Sequence, residues 1–250
     1  MTVPLTERSS TVTGAAKLHR RPERVAAGRS LAEGPNLVEA AARHGVIDRV
    51  FATEVATLRY APLLRGLAVV TVPDRAMKAL SETVTPAGLV AVCRVPDGRL
   101  DDILAAGPSL IVVAVDVADP GNAGTLIRLA DAMGAAAVIF AGDAVDPFNG
   151  KCVRASAGSI FAVSILGEKD TAGLIGGLRG AGLQVLATTL DGELTLDDAE
   201  SVLAGPTAWL FGPEAHGLSE GVAAAADHRI VIPMSGGVDS LNVAAAAGIS

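Results

Sequence analysis

The most constraining feature of the sequence is a set of short apolar runs of strand length that alternate with helical segments after residue 109. Six runs have this character, at residues 110–115, 137–140, 161–166, 183–187, 208–211 and 230–232. Strands that are apolar throughout are buried on both faces, which is typical of a parallel sheet covered by helices. We therefore predict an α/β domain with a parallel sheet over residues 108–250.

A second, smaller α/β domain is predicted over residues 1–95. Residues 46–52, 68–72 and 89–93 have the composition of short strands, and helical stretches separate them. Residues 96–107 begin with Pro-Asp-Gly and end at a Gly-Pro pair, which favours a linker. Two domains are consistent with a length of 250 residues.

Composition excludes several classes of protein. No apolar run reaches the roughly 18 residues that a transmembrane helix needs. The first ten residues lack the apolar centre of a secretory signal, so we expect a cytoplasmic protein. Cys93 and Cys152 are far apart and the four histidines show no i,i+4 spacing, so we expect neither a disulfide framework nor a metal site.

Charge is divided unevenly along the chain. Residues 1–60 carry nine Lys and Arg against six Asp and Glu, a net of +3, whereas the remaining residues carry eleven against twenty-one, a net of −10. A basic arm on an acidic body indicates binding to a polyanion such as RNA. The candidate RNA-binding residues are Arg20, Arg21, Arg24 and Arg29. An alternative interpretation is that they are the solvated side chains of a basic helix.

Three segments that follow predicted strands carry the polar and glycine residues of a candidate site. They are residues 116–130, with Asn122 and Arg128; residues 209–218, with Gly212 and Glu214; and residues 230–244. Ligand sites in open α/β sheets lie at the carboxyl ends of strands, where these segments would be. A simpler interpretation makes Asn122 the N-cap of a helix, Arg128 a surface side chain and Glu214 a cap of the next helix.

The third segment also contains Ser-Gly-Gly-Val-Asp-Ser at residues 235–240. This sequence matches the phosphate-binding loop of PP-loop ATP-pyrophosphatases, in which backbone N–H groups surround pyrophosphate. That loop normally follows the first strand of a nucleotide-binding domain, whereas here it lies close to the end of the sequence. We therefore expect no ATP site at this position.

Taken in order, the three segments resemble the motifs of the SpoU (TrmH-like) class of the SPOUT superfamily, AdoMet-dependent RNA ribose 2′-O-methyltransferases. The matching stretches are Asn122-x-Gly-x-x-x-Arg128-x-Ala, Leu210-Phe-Gly-Pro-Glu-x-x-Gly-Leu218 and Ile232-Pro-Met-x-Gly-x-x-x-Ser-Leu-Asn-Val243. Residues 151–159 are similar to the stretch that the family has between its first two motifs. Residues 28–38 are similar to the start of the L30e-like substrate-binding domain found in many members.

The resemblance implies a knotted catalytic domain that binds S-adenosyl-L-methionine (AdoMet), forms a homodimer and needs no metal. The deep trefoil knot would be formed by the second and third motifs. Positions that match the family's cofactor contacts are Gly212, Ile232 and Leu241. Positions that match its catalytic residues are Arg128, Asn122, Glu214, Ser240 and Asn242.

Two roles for Arg128 follow from the resemblance. A free guanidinium is a poor base because its pKa exceeds about 12. Either a neighbouring positive charge lowers that pKa so that Arg128 acts as the base, or Arg128 holds an RNA phosphate and polarises the 2′-hydroxyl.

The implied substrate is RNA, and the basic N-terminal domain favours 23S rRNA. A tRNA 2′-O-methyltransferase and a non-catalytic ribosomal RNA-binding factor of the same fold are open alternatives. Some similar two-domain members confer thiostrepton resistance by methylating 23S rRNA, and this chain resembles that type as well.

Overall fold

The computed structural model describes residues 6–96, 98–237 and 240–250. Residues 1–5, Asp97 of the predicted linker, and Val238 and Asp239 of the PP-loop-like segment lie outside the described residues. The described residues fall into two compact units. Unit 1 comprises the described residues up to 96 together with Phe148–Ala162, and unit 2 comprises residues 98–147 and the described residues from 163 onward.

In chain order, the helices and strands are α1 (Ser10–Ala16), α2 (Arg21–Ala27), β1 (Arg29–Glu33), α3 (Pro35–Arg43), β2 (Ile47–Ala52), α4 (Glu54–Arg59), α5 (Ala61–Leu64), β3 (Val69–Thr71), α6 (Asp74–Leu80), β4 (Leu89–Arg94), α7 (Leu100–Ala105), β5 (Leu110–Val115), α8 (Pro120–Ala132), β6 (Ala137–Ala141), α9 (Gly150–Ala155), β7 (Ser164–Glu168), α10 (Thr171–Gly180), β8 (Gln184–Thr188), β9 (Leu194–Thr195), α11 (Glu200–Leu203), β10 (Thr207–Phe211), α12 (Glu220–Ala224), β11 (His228–Val231) and α13 (Val243–Ile249). Short 3₁₀ turns occur at Lys17–His19, Ser159–Phe161 and Leu196–Asp198.

Unit 1 is a small mixed sheet with helices packed against it. Its strand order is β1-β4-β2-β3, in which β4 is antiparallel to both neighbours and β2 is parallel to β3. Phe51, Met77 and Val90 are buried in a core that also includes residues of α1. Helix α1 packs against α6.

The segment Phe148–Ala162 packs into unit 1, although the sequence places it between two strands of unit 2. Cys152, Val153 and Ile160 are each 1% exposed or less. A Cβ on Gly158 would lie 2.5 Å from the Cβ of Ala40 on α3, so the segment and α3 are in close contact. We call this segment the excursion.

Unit 2 is built on the predicted parallel sheet. The strand order is β7-β6-β5-β10-β8-β11-β9, and each neighbouring pair is parallel. The central strands β5 and β10 are buried almost completely, and Leu174 and Leu178 of α10 pack against Ile111 and Val113. The predicted fold class is therefore confirmed, whereas the trefoil knot stays a prediction.

The carboxylate of Asp227 joins three parts of unit 2. It accepts hydrogen bonds from Arg179 Nε at the end of α10 and from Val185 N in β8, both at 2.8 Å. Burial by itself would raise the pKa of Asp227, but these hydrogen bonds outweigh burial and hold the pKa below its usual value. A lowered pKa in the folded state stabilises the protein at neutral pH, and this stabilisation is lost as the pH falls through the folded-state pKa.

We therefore expect Asp227→Asn to lower the free energy of unfolding at pH 7 by about 1 kcal/mol, since the amide offers one acceptor oxygen in place of two charged ones. The difference from the wild type should shrink as the pH falls below 4. Urea titrations across this range measure it. The exposed Asp101→Asn is the control, and a difference that is the same at every pH would contradict the linkage.

Candidate functional site

Three loops of unit 2 meet at one edge of the sheet. They follow β5, β10 and β11, and because all three strands are parallel their carboxyl ends point the same way. Gly212 and Ile232 are the first residues after β10 and β11. The three segments that the sequence singled out therefore begin at the same edge, where open α/β sheets bind ligands.

The loop after β5 leads into α8, and its cap differs from the prediction. Asp119, not Asn122, is the N-cap, and its Oδ1 accepts a hydrogen bond from Asn122 N at 2.9 Å. Pro120 occupies the first helical turn, where its fixed φ is favourable and its missing N–H costs nothing. The prediction that Asn122 is the cap is therefore wrong, and its side chain is left to contact other loops.

The side chain of Asn122 connects the other two loops. Its Nδ2 donates a hydrogen bond to Glu214 Oε1, and its Oδ1 accepts one from Asn242 Nδ2 at 2.9 Å. Asn242 is itself the N-cap of α13, where its Oδ1 accepts hydrogen bonds from Ala244 N and Ala245 N. We call Glu214, Asn122 and Asn242 the amide relay.

The backbone N–H groups that Asn242 binds determine the direction of every hydrogen bond in the amide relay. Backbone N–H groups can only donate, so the group of Asn242 that faces them must be its oxygen. Its NH₂ group then faces Asn122 and requires an acceptor there, which leaves the NH₂ of Asn122 to donate to Glu214. The relay therefore runs in one direction, from Asn242 through Asn122 to an acceptor oxygen of Glu214.

A cleft of about 730 Å³ lies beside the relay. Gly212, Ile232 and Leu241, the three predicted cofactor positions, line it together with Glu214 and Ser240. This volume is within the range of small-molecule sites, roughly 300–1,000 Å³. The structure thus brings together the predicted residues from the second and third segments.

Gly212 is required by a close approach of backbone to backbone. A Cβ on Gly212 would lie 2.5 Å from Leu218 N and 2.6 Å from Gly217 C. The turn between them is closed by a hydrogen bond from Gly217 N to Pro213 O at 2.8 Å. No other residue fits at Gly212 unless this wall of the cleft moves.

Sequence reasoning missed another wall of the cleft, formed by residues 188–191 after β8 and by Arg229. The apolar run at 183–187 was the available signal, because its carboxyl end lies at the same edge. Glu193 accepts hydrogen bonds from Arg229 N at 2.9 Å and from Arg229 Nε at 3.0 Å. The backbone hydrogen bond is the main cause that lowers the pKa of Glu193, which keeps the pair ionised.

Arg128 lies on α8 outside the cleft lining. It is exposed, and no hydrogen bond or ion pair joins its side chain to any residue within 6–96, 98–237 or 240–250. Its guanidinium is therefore available to a ligand from solution.

The predicted RNA-binding arginines have different surroundings in unit 1. Arg24 is only 6% exposed, and its Nη1 donates hydrogen bonds to Leu18 O and His19 O at 2.7 Å. This burial corrects the expectation for Arg24, because its charge satisfies backbone carbonyls instead of meeting RNA. Arg20 pairs with Glu23, Arg29 with Asp48, and Arg21 is exposed.

Comparisons with known proteins agree with this geometry. The SpoU rRNA Methylase family matches residues 109–250, and an MRM3-like substrate binding domain matches residues 10–91. The 23S rRNA (guanosine(2553)-2′-O)-methyltransferase RlmP of Bacillus subtilis is 32% identical over 93% of this chain and 91% of its own length. The 23S rRNA (uridine(2479)-2′-O)-methyltransferase of Streptomyces viridochromogenes is 32% identical over 93% of this chain and 84% of its own.

Solved structures resemble the whole chain. The SpoU methyltransferase AviRb from Streptomyces viridochromogenes, in complex with AdoMet, superimposes with a TM-score of 0.85 at 30% identity, covering 97% of this chain and 95% of that one. The chain belongs to the SpoU rRNA methylase family, and the predicted resemblance is confirmed.

The described residues contain neither a metal-ligand cluster nor a helix that could span a membrane. No group of three or more His, Cys, Asp or Glu is placed to ligate a metal there. Of the helices in those residues, none combines the length and apolarity that membrane crossing demands.

The amide relay predicts a pH-dependent response to one substitution. Asn122→Asp replaces the donor that faces Glu214 by a second carboxylate, and two such carboxylates cannot both ionise without repulsion, so one pKa rises. We expect the free energy of unfolding to fall by about 1–3 kcal/mol at pH 7 and to recover partly at pH 5, where a shared proton restores a hydrogen bond.

Asn122→Ala is the matched control. It removes the same donor without adding charge, so its loss of stability should be nearly the same at pH 5 and pH 7. Urea unfolding of both variants at the two pH values provides the measurement. Equal pH profiles for the two variants would show that Glu214 and residue 122 do not share a proton.

Proposed function

We propose that this protein is an AdoMet-dependent RNA methyltransferase that methylates a ribose 2′-hydroxyl of 23S rRNA. The observation that carries the proposal is the amide relay at the mouth of a cleft lined by Gly212, Ile232 and Leu241. The names of the relatives supply the reaction and the substrate class, and the relay supplies the polar groups. The presence of Arg128, Asn122 and Asn242 at the motif positions favours an enzyme over a non-catalytic RNA-binding factor of the same fold.

The cleft has the properties that the methyl donor requires. Its volume of about 730 Å³ is large enough for a nucleoside joined to an amino acid. The close packing of the Gly212 backbone against residues 217–218 shapes one wall of the cleft, and Ile232 and Leu241 offer apolar surface to a base. AdoMet supplies an electrophilic methyl group on a sulfonium.

The protein's own residues position the nucleophile. Arg128, exposed and without a partner among the described residues, is suited to hold a phosphate of the RNA by paired N–H donors. Glu214, fixed by Asn122, is suited to accept a hydrogen bond from a ribose hydroxyl, and Ser240 in the cleft lining offers a further hydroxyl. Asn242 orients Asn122. Alignment of the 2′-hydroxyl with the methyl group would supply much of the rate acceleration.

The substrate that we propose is 23S rRNA. One relative is named for a guanosine and the other for a uridine, while both are named for 23S rRNA. The substrate-binding match at residues 10–91 supports recognition of RNA by unit 1, with Arg20, Arg21 and Arg29 as the remaining members of the basic arm. We further propose a homodimer, a trefoil knot formed by the second and third segments, and a cytoplasmic location.

The reaction is tested by transfer of tritium from labelled AdoMet to purified 23S rRNA and tRNA. We expect alkali-resistant labelled dinucleotides from 23S rRNA. Arg128→Ala should lower kcat by about 100-fold or more, since it removes a group that stabilises the reacting geometry. The Kd of AdoMet, measured by calorimetry, should stay within a few-fold.

The control for Arg128→Ala is Arg43→Ala, which removes an exposed guanidinium from unit 1. It should leave kcat unchanged. If the Arg128→Ala variant turns over as fast as the wild type, Arg128 has no role in the mechanism. If the label appears in tRNA alone, the substrate is tRNA and not 23S rRNA.

Gly212 gives an independent test of the cofactor cleft. Gly212→Ala places a methyl group 2.5 Å from Leu218 N, so the wall must shift and AdoMet affinity should fall by at least about 10-fold. Gly221→Ala on α12 is the control, because a Cβ there meets nothing within 4 Å. Calorimetric titration with AdoMet measures both. Undiminished binding by Gly212→Ala would place the cofactor elsewhere.

A further inference from the structure

Unit 1 presents one aromatic ring that is not built into the core or into a cavity wall. The chain has one Trp, one Tyr and five Phe. The aromatic residues that are at most 7% exposed are Phe51, Phe140, Phe161, Trp209 and Phe211. Phe148 is half-buried and lines a small cavity with Leu37 and Val153. Tyr60 is also half-buried, but it belongs neither to the buried core nor to the lining of that cavity.

Tyr60 follows α4 and lies beside an arginine and two exposed aliphatic side chains. The guanidinium carbon of Arg59 is 5.3 Å from the centre of the Tyr60 ring. Val55 and Leu58, three residues apart on α4, are 74% and 77% exposed. Residues three apart lie on one face of a helix, so the two side chains are neighbours. We call Val55, Leu58, Arg59 and Tyr60 the α4 patch.

Arg59 differs in its charge balance from three of the four arginines of the basic arm, and in this respect it is like the exposed Arg21. Arg20 pairs with Glu23, and Arg29 pairs with Asp48. Arg24 donates its hydrogen bonds to backbone carbonyls. Arg59 makes no ion pair with any residue in the part of the chain that the structure describes. Glu54 is the one acidic residue on α4, and Arg65 follows α5, so residues 54–65 carry one negative and two positive charges.

This combination fits an unpaired nucleotide better than it fits a protein. Bases stack on tyrosine rings and on guanidinium planes, and the same guanidinium attracts the phosphate. A stable protein interface needs roughly 800 Å² on each partner around a buried apolar centre. Two aliphatic side chains beside a positive charge do not provide such a centre.

We propose that the α4 patch binds an unpaired nucleotide of the RNA substrate, with its base stacked on the Tyr60–Arg59 pair. The apolar parts of the base and ribose contact Val55 and Leu58, and Arg59 faces the phosphate. This inference rests on the proposed function, because it takes RNA as the substrate of the protein. It adds a stacking site to unit 1 at a position away from the basic arm in sequence.

Single substitutions at Tyr60 and at Arg59 in the full-length protein test the patch by filter binding to 23S rRNA. Tyr60→Ala should weaken RNA binding by about 5- to 160-fold, the range for loss of one stacked base, while Tyr60→Phe keeps the ring and the affinity. Arg59→Ala should weaken binding and also reduce the slope of log Kd against log salt by about one, which Tyr60→Ala should not do. In both variants kcat at saturating RNA and the Kd of AdoMet should stay unchanged.

Matched controls lie on the same unit. Arg43→Ala removes an exposed arginine of α3 and is the control for Arg59→Ala. Val84→Ser removes a fully exposed aliphatic side chain and is the control for Val55→Ser, which removes one from the patch. Thermal unfolding of each variant separates loss of binding from loss of fold. The proposal is overturned if Tyr60→Ala and Arg59→Ala bind RNA as well as Arg43→Ala does. A patch that binds a protein instead of RNA would give this same result.

The two proposals fail in different ways. If the wild type methylates 23S rRNA and the patch variants keep its affinity, only the α4 patch is refuted. If the wild type binds 23S rRNA through the patch but transfers no methyl group, the proposed function falls and the patch remains. If the wild type neither binds nor methylates RNA, both fall.

Discussion

A single primary amide, that of Asn122, holds the candidate site together. It donates to the carboxylate of Glu214 on one loop and accepts from the amide of Asn242 on another. An amide is the side chain suited to this place, because it offers a donor and an acceptor at fixed separation and carries no charge. A carboxylate would repel Glu214 and a hydroxyl is too short to link two loops, so the relay depends on this residue type.

The relay works because the sheet brings its members to one edge. Residues 122, 214 and 242 are up to 120 positions apart in the chain, and the three loops that carry them start where parallel strands end. The strands are held by apolar burial and need no polar residue of their own. Polar side chains at the edge are therefore free to be arranged for ligand binding, and Gly212 gives the cleft its close backbone wall.

The sequence predicted the parallel sheet well because both faces of its strands are apolar. Predicted runs at 110–115, 137–140, 183–187 and 208–211 overlap β5, β6, β8 and β10 within one or two residues. The run at 161–166 was placed too early, since Phe161 belongs to a 3₁₀ turn and the strand spans Ser164–Glu168. Phe161 is buried in unit 1 as part of the excursion, whereas Leu166 packs against the core of unit 2. An apolar run does not tell which core its side chains join.

The candidate site residues were chosen by motif, but their contacts were not predictable from the sequence. Asn122 was expected to cap α8, a local role, yet Pro120 moves the cap to Asp119 and leaves Asn122 to partners 92 and 120 residues away. Nothing in the local sequence encodes partners at such separations. The order of the motifs identified the residues, and only the fold supplied the hydrogen bonds.

The net charge of a sequence segment predicts RNA binding less well than the number of its arginines that have no partner within the protein. The arm has a net positive charge, but Arg24 serves backbone carbonyls, and Arg20 and Arg29 face carboxylates. Each neutralised arginine releases few counterions from RNA, so it adds little to affinity or to its salt dependence. Residues 61–250 carry a net charge of −10, so nonspecific electrostatic attraction between the protein and RNA is weak. Selectivity must then come from the few unpaired guanidinium groups and from surfaces that read an unstacked base, since a weak general attraction leaves specific contacts to decide which RNA is held.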